Sequence, residues 1–294
     1  MNHNNSAFNL KKIGTTALKI SLTAIALWWV FQKIDRAALQ DILWRANWWY
    51  LIVALVLFNA SKIVSSFRLN HFFRCIGLVL PESANLRLYY IGMFYNLFLP
   101  GGIGGDGYKI YLLHQRHSIA VKSLLAATLL DRISGVVALA VLAVGLSLGS
   151  HLYIATQTLP YSAFFPWIAA IGSLALVVFF YVYVHFQMPV YRKVLHITNF
   201  QALAVQSLQV AAALCILWAL QVQHNYMDYL LLFLLSSIAA ILPLTIGGVG
   251  MRELVMLLGY AYLPIESEQA VAFSLLFFVI TAASSLVGAF LEGI

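Results

Sequence analysis

The chain has 294 residues, of which 62% are hydrophobic and only 9% are charged, and its formal net charge is +7. Because a soluble domain carries about 25% charged residues, this composition excludes an ordinary soluble protein and indicates a polytopic membrane protein. Nearly all of the length is needed for membrane spans, so we expect no soluble catalytic domain. The excess of cations reports orientation and contact with anionic lipid, and we expect no nucleic-acid partner.

Six segments are long and apolar enough to cross a bilayer, which takes about 20 residues. They are predicted at 13–31, 48–68, 119–148, 163–186, 200–221 and 269–292. The first is too long for a signal-peptide core and lacks a small-residue cleavage site, so we interpret it as a retained span. The sequence thus predicts a single all-α transmembrane domain over residues 1–294.

Two further hydrophobic segments, at 86–117 and 226–263, are interrupted by one motif, Leu-Pro-x-x-Ile-Gly-Gly-x-Gly-x-Lys/Arg, at 99–109 and 242–252. Proline removes a helical donor and glycine adds backbone freedom, so each copy breaks its helix. We predict that each segment is a re-entrant broken-helix hairpin, which enters and leaves the membrane on the same side. Irregular backbone at that depth is tolerated only where protein or water satisfies its polar groups.

The distribution of Lys and Arg predicts which side of the membrane each connection faces. The predicted outer segments at 149–162, 222–228 and 264–268 contain neither residue. The connection Lys33–Arg45 is mixed in charge and is predicted to form an interfacial amphipathic helix. We predict a multi-pass protein of the inner (plasma) membrane with a cytoplasmic N-terminus. The cations then on the cytoplasmic side are Lys11, Lys12, Arg68, Arg74, Arg87, Arg116, Lys122, Arg192 and Lys193.

The two motif copies are 143 residues apart (252 − 109), and this shift places the first three spans and hairpin near the last three. The two halves, at about 13–149 and 163–292, then have opposite orientations. Such an inverted-topology repeat is typical of alternating-access transporters. Chance similarity between two glycine-rich breaks is the alternative, because glycine and proline are frequent in membrane helices.

The charged residues around the two breaks predict an anion-binding site. A helix that restarts after a break directs free backbone N–H groups into it, and such helix starts attract phosphate. Lys109 and Arg252 hold corresponding places one turn beyond the two breaks. Charge inside a membrane is expensive and is therefore a functional hypothesis. The predicted substrate-binding residues, near the membrane midplane, are Asp106, Lys109, Asp131, Arg132, Arg252, Glu253, Gly104, Gly105, Gly247 and Gly248.

Structural roles remain open for several of these residues. Asp106 can cap a helix and pair with Lys109 at i+3, and Asp131 with Arg132 can hold helices together. Because neighbours on a helix point about 100° apart, we expect Arg132 to face the first hairpin while Asp131 pairs with another cation. Near the inner end of the second span, Arg68 is expected to snorkel to the interface, and Lys62 lies deeper.

No metal, cofactor or nucleotide site is predicted. The Gly-x-Gly-x-x-Gly pattern at 102–107 lacks the strand and βαβ context that such a site needs. His114 and His117 share a helix face but have no further ligand at suitable spacing. We find no nucleophile–base set and expect that the protein is not an enzyme.

Three motifs in the same order resemble the lysylphosphatidylglycerol synthase transmembrane-region family over nearly the whole chain. They are Pro100-Gly101-Gly102-Ile103-Gly104-Gly105-Asp106, Asp131-Arg132 with Gly135, and the stretch from Pro243 to Glu253. That family includes the flippase-like membrane half of multiple-peptide-resistance-factor proteins. The resemblance implies lipid translocation, or service to lipid-linked aminoacyl or sugar transfer.

The resemblance also bears on individual residues. Asp106, Asp131, Arg132, Arg252 and Glu253 fall on motif positions of the family, and Lys109 stands where an arginine is commoner. No segment resembles the soluble aminoacyltransferase half of the larger proteins, so we do not expect synthesis of lysyl-phosphatidylglycerol.

These observations predict a flippase-like translocase for an anionic phospholipid or other lipid-linked phosphate, which works by alternating access around the cationic site. The alternative is an accessory protein that presents polyprenyl-phosphate carriers to a glycosyltransferase or another lipid-modifying enzyme. An enzyme acting on lipid head groups and a small-solute transporter also remain open.

Overall fold

The computed structural model describes Trp28 and residues 35–98, 104–152, 164–240 and 250–291. These residues form helices joined by turns, without a strand among them. Two 3₁₀ segments, Pro189–Val194 and Val287–Ala289, precede α7 and follow α10. The α-helices are α1 (Arg36–Trp44), α2 (Trp48–Cys75), α3 (Glu82–Phe98), α4 (Gly104–His117), α5 (Val121–Leu148), α6 (Phe165–Gln187), α7 (Leu195–Ala219), α8 (Tyr226–Ala239), α9 (Met251–Tyr260) and α10 (Ser267–Leu286).

Among the described residues, five helical segments are long and apolar enough to cross a membrane. They are α2, α5, α6, α7 with its preceding 3₁₀ segment, and α10 with the 3₁₀ segment that follows it. These segments correspond to five of the six predicted spans. The predicted span at 13–31 lies outside the described residues, apart from Trp28. The chain is a multi-pass membrane protein.

α2 is longer than its predicted span and continues from the expected end at residue 68 to Cys75. Leu69, Phe72 and Phe73 in this extension are buried, and the Asn70 side-chain amide donates to the Leu80 carbonyl at 3.1 Å. One face of this extension therefore packs against the rest of the protein, and its polar residues do not terminate the helix.

The connection Lys33–Arg45 contains α1, in agreement with the predicted amphipathic helix. The Asp35 carboxylate caps this helix by accepting from the backbone N–H groups of Ala37 at 2.8 Å and Ala38 at 3.2 Å. Leu39 is buried, whereas Trp44 is 80% exposed. The helix therefore has one face in the core and one that is free of protein.

The first predicted hairpin corresponds to the antiparallel pair α3 and α4, which flank residues 99–103. Near the start of α4, the Gly105 N–H donates to Asn96 Oδ1 at 2.9 Å. One turn later, Lys109 lies against Gly92 and Tyr89, which are earlier in α3. An added Cβ on Gly105 would lie 1.8 Å from the Gly92 carbonyl oxygen, so the two backbones are in direct contact.

The second predicted hairpin corresponds to α8 and α9, which also pack together. An added Cβ on Gly259 would lie 2.4 Å from the Leu232 side chain. Gly250 precedes α9 with φ +83°, a left-handed conformation that favours glycine. The preceding motif residues at 242–249 lie outside the described residues, as do 99–103 in the first copy.

The helix positions extend the motif repeat to most of the chain. Shifting α2 by 143 residues moves it to 191–218, where α7 lies (Leu195–Ala219). The same shift moves α3 to 225–241, against α8, and α5 to 264–291, against α10. α2 also packs along its counterpart α7, while α3 contacts α10 and α8 contacts α5. In each predicted half, the first short helix therefore packs against the last long helix of the other half.

Candidate functional site

A polar cavity of about 210 Å³ lies between α2, α3, α4 and α5. Ordinary ligand pockets measure about 300–1,000 Å³, so this cavity is large enough for a head group but not for a whole lipid. It brings together four of the six charged residues that the sequence predicted for the site. The lining residues are Arg68, Tyr89, Met93, Asn96, Asp106, Lys109, Asp131 and Arg132.

Asp106 is the centre of the first ion-pair group in this cavity. Its Oδ1 lies 2.8 Å from Lys109 Nζ on the same helix, and its Oδ2 accepts a charge-assisted hydrogen bond from Arg132 Nε on α5. The contact with Lys109 fits a purely local i,i+3 pair. The contact with Arg132 does not, because it joins the first hairpin to a membrane-spanning helix. Arg132 faces this hairpin, as the sequence predicted.

Asp131 pairs with a different cation, also as predicted, and that cation is Arg68. Arg68 Nε lies 2.7 Å from Asp131 Oδ1, and only 5% of the Arg68 side chain is exposed. The expectation that Arg68 snorkels to the interface is therefore wrong. It assumed that α2 ends at residue 68, whereas the helix continues to Cys75 and keeps Arg68 within the protein.

Arg132 is the most accessible of the charged groups in the cavity. Its side chain is 32% exposed, compared with 7% for Lys109 and 8% for Asp106. Arg68 has a buried Nη1 atom without a hydrogen-bond partner among the described residues. A guanidinium that retains an unused donor beside a paired carboxylate can accept an added anionic ligand.

One face of α3 completes the wall of the cavity with Tyr89, Met93 and Asn96. We did not predict these residues, although their i, i+4, i+7 spacing places them on one helix face. The Lys109 ammonium lies 5.2 Å from the centre of the Tyr89 ring. Asn96 accepts the Gly105 N–H. This helix-start donor, which we expected to be available to an anion, is therefore satisfied by the protein.

The predicted residues of the second hairpin do not line this cavity. Arg252 lies with its Cζ 5.2 Å from the centre of the Phe277 ring on α10. Glu253 caps α9 instead of pairing with a cation: its carboxylate accepts from Gly250 N at 2.7 Å and from Ser274 Oγ at 2.9 Å. Gly247 and Gly248 lie outside the described residues. Among the described residues, no three His, Cys, Asp or Glu side chains form a group that could hold a metal ion.

The cavity chemistry fits a monoanion. Three cations, Arg68, Lys109 and Arg132, face two carboxylates, Asp106 and Asp131, which leaves one formal positive charge (3 − 2). The carboxylates hold the cations in place, because a buried charge without a partner is strongly unfavourable. Planar guanidinium groups match the oxygen geometry of phosphate.

Comparison with known proteins identifies a family match over most of the chain. The family model described as the lysylphosphatidylglycerol synthase TM region matches residues 16–288. This range includes both motif copies, α1 to α10 and every residue that lines the cavity. A search of curated proteins found no matching relative.

Proposed function

Because the chain belongs to the lysylphosphatidylglycerol synthase transmembrane-region family, we propose that it is a flippase-like translocase for a lipid with an anionic phosphate head group. The observation that carries the proposal is the cavity with one formal positive charge, built where a short-helix pair meets a membrane-spanning helix. The substrate is an anionic phospholipid or another lipid-linked phosphate. Its head group enters the cavity while its acyl chains stay in the surrounding lipid.

We propose that the α3–α4 and α8–α9 pairs are re-entrant hairpins. At 1.5 Å per residue, the 17 residues of α3 and the 14 of α4 extend about 25 and 21 Å. The hydrocarbon core is about 30 Å thick, so neither helix crosses it alone. The antiparallel contact between α3 and α4 supports a segment that returns to the side from which it came.

We propose that the two halves, about 13–149 and 163–292, form an inverted repeat and that transport proceeds by alternating access. The support is the 143-residue correspondence of helices, together with the matching exchange of contacts between halves. Transporters of this type place their site near the midplane where interrupted helices meet. We propose that the protein lies in the inner (plasma) membrane. The positive-inside rule favours the orientation with the N-terminus in the cytoplasm. Arg68 no longer counts toward that rule, because it is buried.

The first prediction concerns translocation by purified protein in liposomes with labelled phospholipid. We expect Arg132→Gln to lower the rate of translocation at least about tenfold, because one charge-assisted contact with phosphate contributes about 1.5–3 kcal/mol. The variant should fold, since Asp106 keeps Lys109 as its partner. Arg74→Gln is the matched control, because Arg74 pairs with Glu82 in a largely exposed position. Equal translocation by the wild type and Arg132→Gln would remove the proposal.

The accessory function predicted from sequence uses the same site and differs in the outcome of this experiment. A protein that presents polyprenyl phosphate to a glycosyltransferase binds the lipid phosphate through Arg132 but moves no labelled lipid between leaflets. Arg132-dependent lipid binding without translocation would therefore replace the translocase with the presenting protein.

A further inference from the structure

A second group of cations lies beside the cavity and takes no part in the ion pairs described above. Lys62 Nζ on α2 lies 4.3 Å from the centre of the Phe58 ring, and Arg252 Cζ on α9 lies 5.2 Å from the centre of the Phe277 ring. The two rings touch edge to face, with their centres 5.7 Å apart. The contact between the two rings therefore links the two cation–aromatic pairs and joins α2 to α10.

Neither cation has a hydrogen bond or an ion pair with any residue that the structure describes. Both side chains are half-buried, and the Nε atom of Arg252 is fully buried without a partner. An aromatic face contributes only about 0.5–2 kcal/mol to a cation. This contribution is smaller than the several kcal/mol needed to desolvate a buried charge. Among the described residues, Lys62 and Arg252 therefore have no anionic partner that offsets this cost.

The 143-residue correspondence shows that the second half has no carboxylate at the positions equivalent to Asp106 and Asp131. Lys109 and Arg252 are equivalent under the 143-residue shift, and each lies 5.2 Å from the centre of an aromatic ring. The positions equivalent to Asp106 and Asp131 are 249 and 274 (106 + 143 and 131 + 143), which are valine and serine. Both carboxylates that neutralise the first-half cations are thus replaced in the second half.

Glu253 does not fill this role. It follows Arg252 in the sequence and its charge acts on the guanidinium, but both of its oxygens are already bound by Gly250 and Ser274. The charged groups that act on Lys62 are Arg252 and Arg68, which repel its positive charge, and Asp131, which attracts it. Arg68 lines the cavity, so the second group of cations adjoins the first site.

We infer that Lys62 and Arg252 form a second anion-binding subsite, and that the preferred ligand carries two phosphate groups. This inference rests on the proposed function and narrows its substrate class. Together, the cations Lys62, Arg68, Lys109, Arg132 and Arg252 face the carboxylates Asp106, Asp131 and Glu253, which leaves two formal positive charges (5 − 3). A ligand with a single phosphodiester neutralises one of them, whereas a diphosphate or bis-phosphate head group neutralises both. Arg68, whose Nη1 has no partner among the described residues, lines the first cavity and lies on the same helix as Lys62.

The test compares inorganic phosphate with pyrophosphate as ligands of the purified full chain in neutral detergent at matched ionic strength. For the wild type we expect pyrophosphate to bind at least about tenfold more tightly, since a charge-assisted contact contributes about that factor. Lys62→Met and Arg252→Met should reduce this ratio to about threefold or less and leave the affinity for inorganic phosphate nearly unchanged. Arg74→Met, the exposed control, should keep the wild-type ratio.

Misfolding does not obscure this test, because Lys62→Met removes a cation without leaving a carboxylate unpaired. We expect its thermal unfolding temperature to equal or exceed that of the wild type. A wild-type ratio near one, or an unchanged ratio in Lys62→Met, would overturn the second subsite.

A lipid experiment separates this inference from the proposed function. Vesicles that contain phosphatidylglycerol, with one phosphate, are compared with vesicles that contain cardiolipin, with two. Faster translocation of cardiolipin that Lys62→Met abolishes supports both the subsite and the translocase. Arg132-dependent translocation with no preference and no effect of Lys62→Met overturns the subsite alone. A Lys62-dependent pyrophosphate preference without any lipid translocation assigns the subsite to a soluble diphosphate and overturns the translocase.

Discussion

Replacing Arg68 with methionine is expected to destabilise the protein by about 3–5 kcal/mol, because it leaves the Asp131 carboxylate buried without its cation. Arg68 and Asp131 have side-chain exposures of 5% and 10%, and Nε lies 2.7 Å from Oδ1. Little of either side chain is accessible to water. The measurement is the free energy of unfolding in detergent, followed by intrinsic fluorescence.

Two further variants identify the cause of this effect. Arg68→Met with Asp131→Leu should recover most of the lost stability, since replacing a whole buried pair by apolar residues is often neutral or favourable. Arg74→Met should change stability by about 0–1 kcal/mol, because the Arg74–Glu82 pair is exposed. If Arg68→Met is no more destabilising than Arg74→Met, the buried pair does not hold α2 against α5.

Gly105→Ala is expected to disrupt the first hairpin. The added methyl group would lie 1.8 Å from the Gly92 carbonyl oxygen, and backbone cannot yield as a flexible side chain does. Overpacking of this kind costs about 1–3 kcal/mol, and more where helices must separate. Separation of α3 from α4 also moves Lys109 and Asp106 relative to Arg132. We therefore expect lower thermal stability together with a loss of Arg132-dependent lipid translocation.

Gly107→Ala is the matched control two residues away on the same helix. An added Cβ there meets nothing within 4 Å, and alanine is favoured over glycine in a helix by about 1 kcal/mol. This variant should be as stable as the wild type or more stable, with unchanged translocation. Equal behaviour of the two alanine variants would contradict the close contact between Gly105 and Gly92.

Hydrophobic length predicted the five spans that the described residues contain, because lipid-facing helices carry a continuous apolar signal. α6 is an example. Most of its side chains face away from the protein, and they are apolar because the surrounding medium is lipid. The end of α2 was mispredicted for the opposite reason. One face of its final turns packs against the protein through Leu69, Phe72 and Phe73, so hydropathy alone did not locate the end of the helix. This error made Arg68 a candidate for snorkelling.

The sequence predicted the charged residues of the candidate site and part of their pairing, but not every partner. Intramembrane charge singled out Asp106, Lys109, Asp131 and Arg132, and the structure brings all four to one cavity. Charge alone did not separate them from Glu253, which caps α9. The close contact of Gly105 could not be predicted from the neighbouring sequence, because its partner, Gly92, lies on the facing helix.

The two unpaired cations show a further limit of sequence reasoning. Lys62 and Arg252 are 190 residues apart in the chain (252 − 62), and no sequence pattern relates one to the other. Their relation became visible only through Phe58 and Phe277, whose contact joins α2 to α10. The 143-residue offset places Ser274 at the position equivalent to Asp131. This correspondence could be used only once the offset was known to relate helices.

Lipid mass spectrometry is the most direct test of whether cations inside this membrane protein bind the phosphate of a lipid. Protein is purified in mild detergent, and its bound lipids are quantified for the wild type, Arg132→Gln with Arg252→Gln, and Arg74→Gln. We expect a phosphate-bearing lipid to be enriched over the bulk membrane in the wild type and in Arg74→Gln, and to be reduced at least about tenfold in the double variant. The same lipids in the same amounts in all three proteins would show that these cations do not bind lipid phosphate.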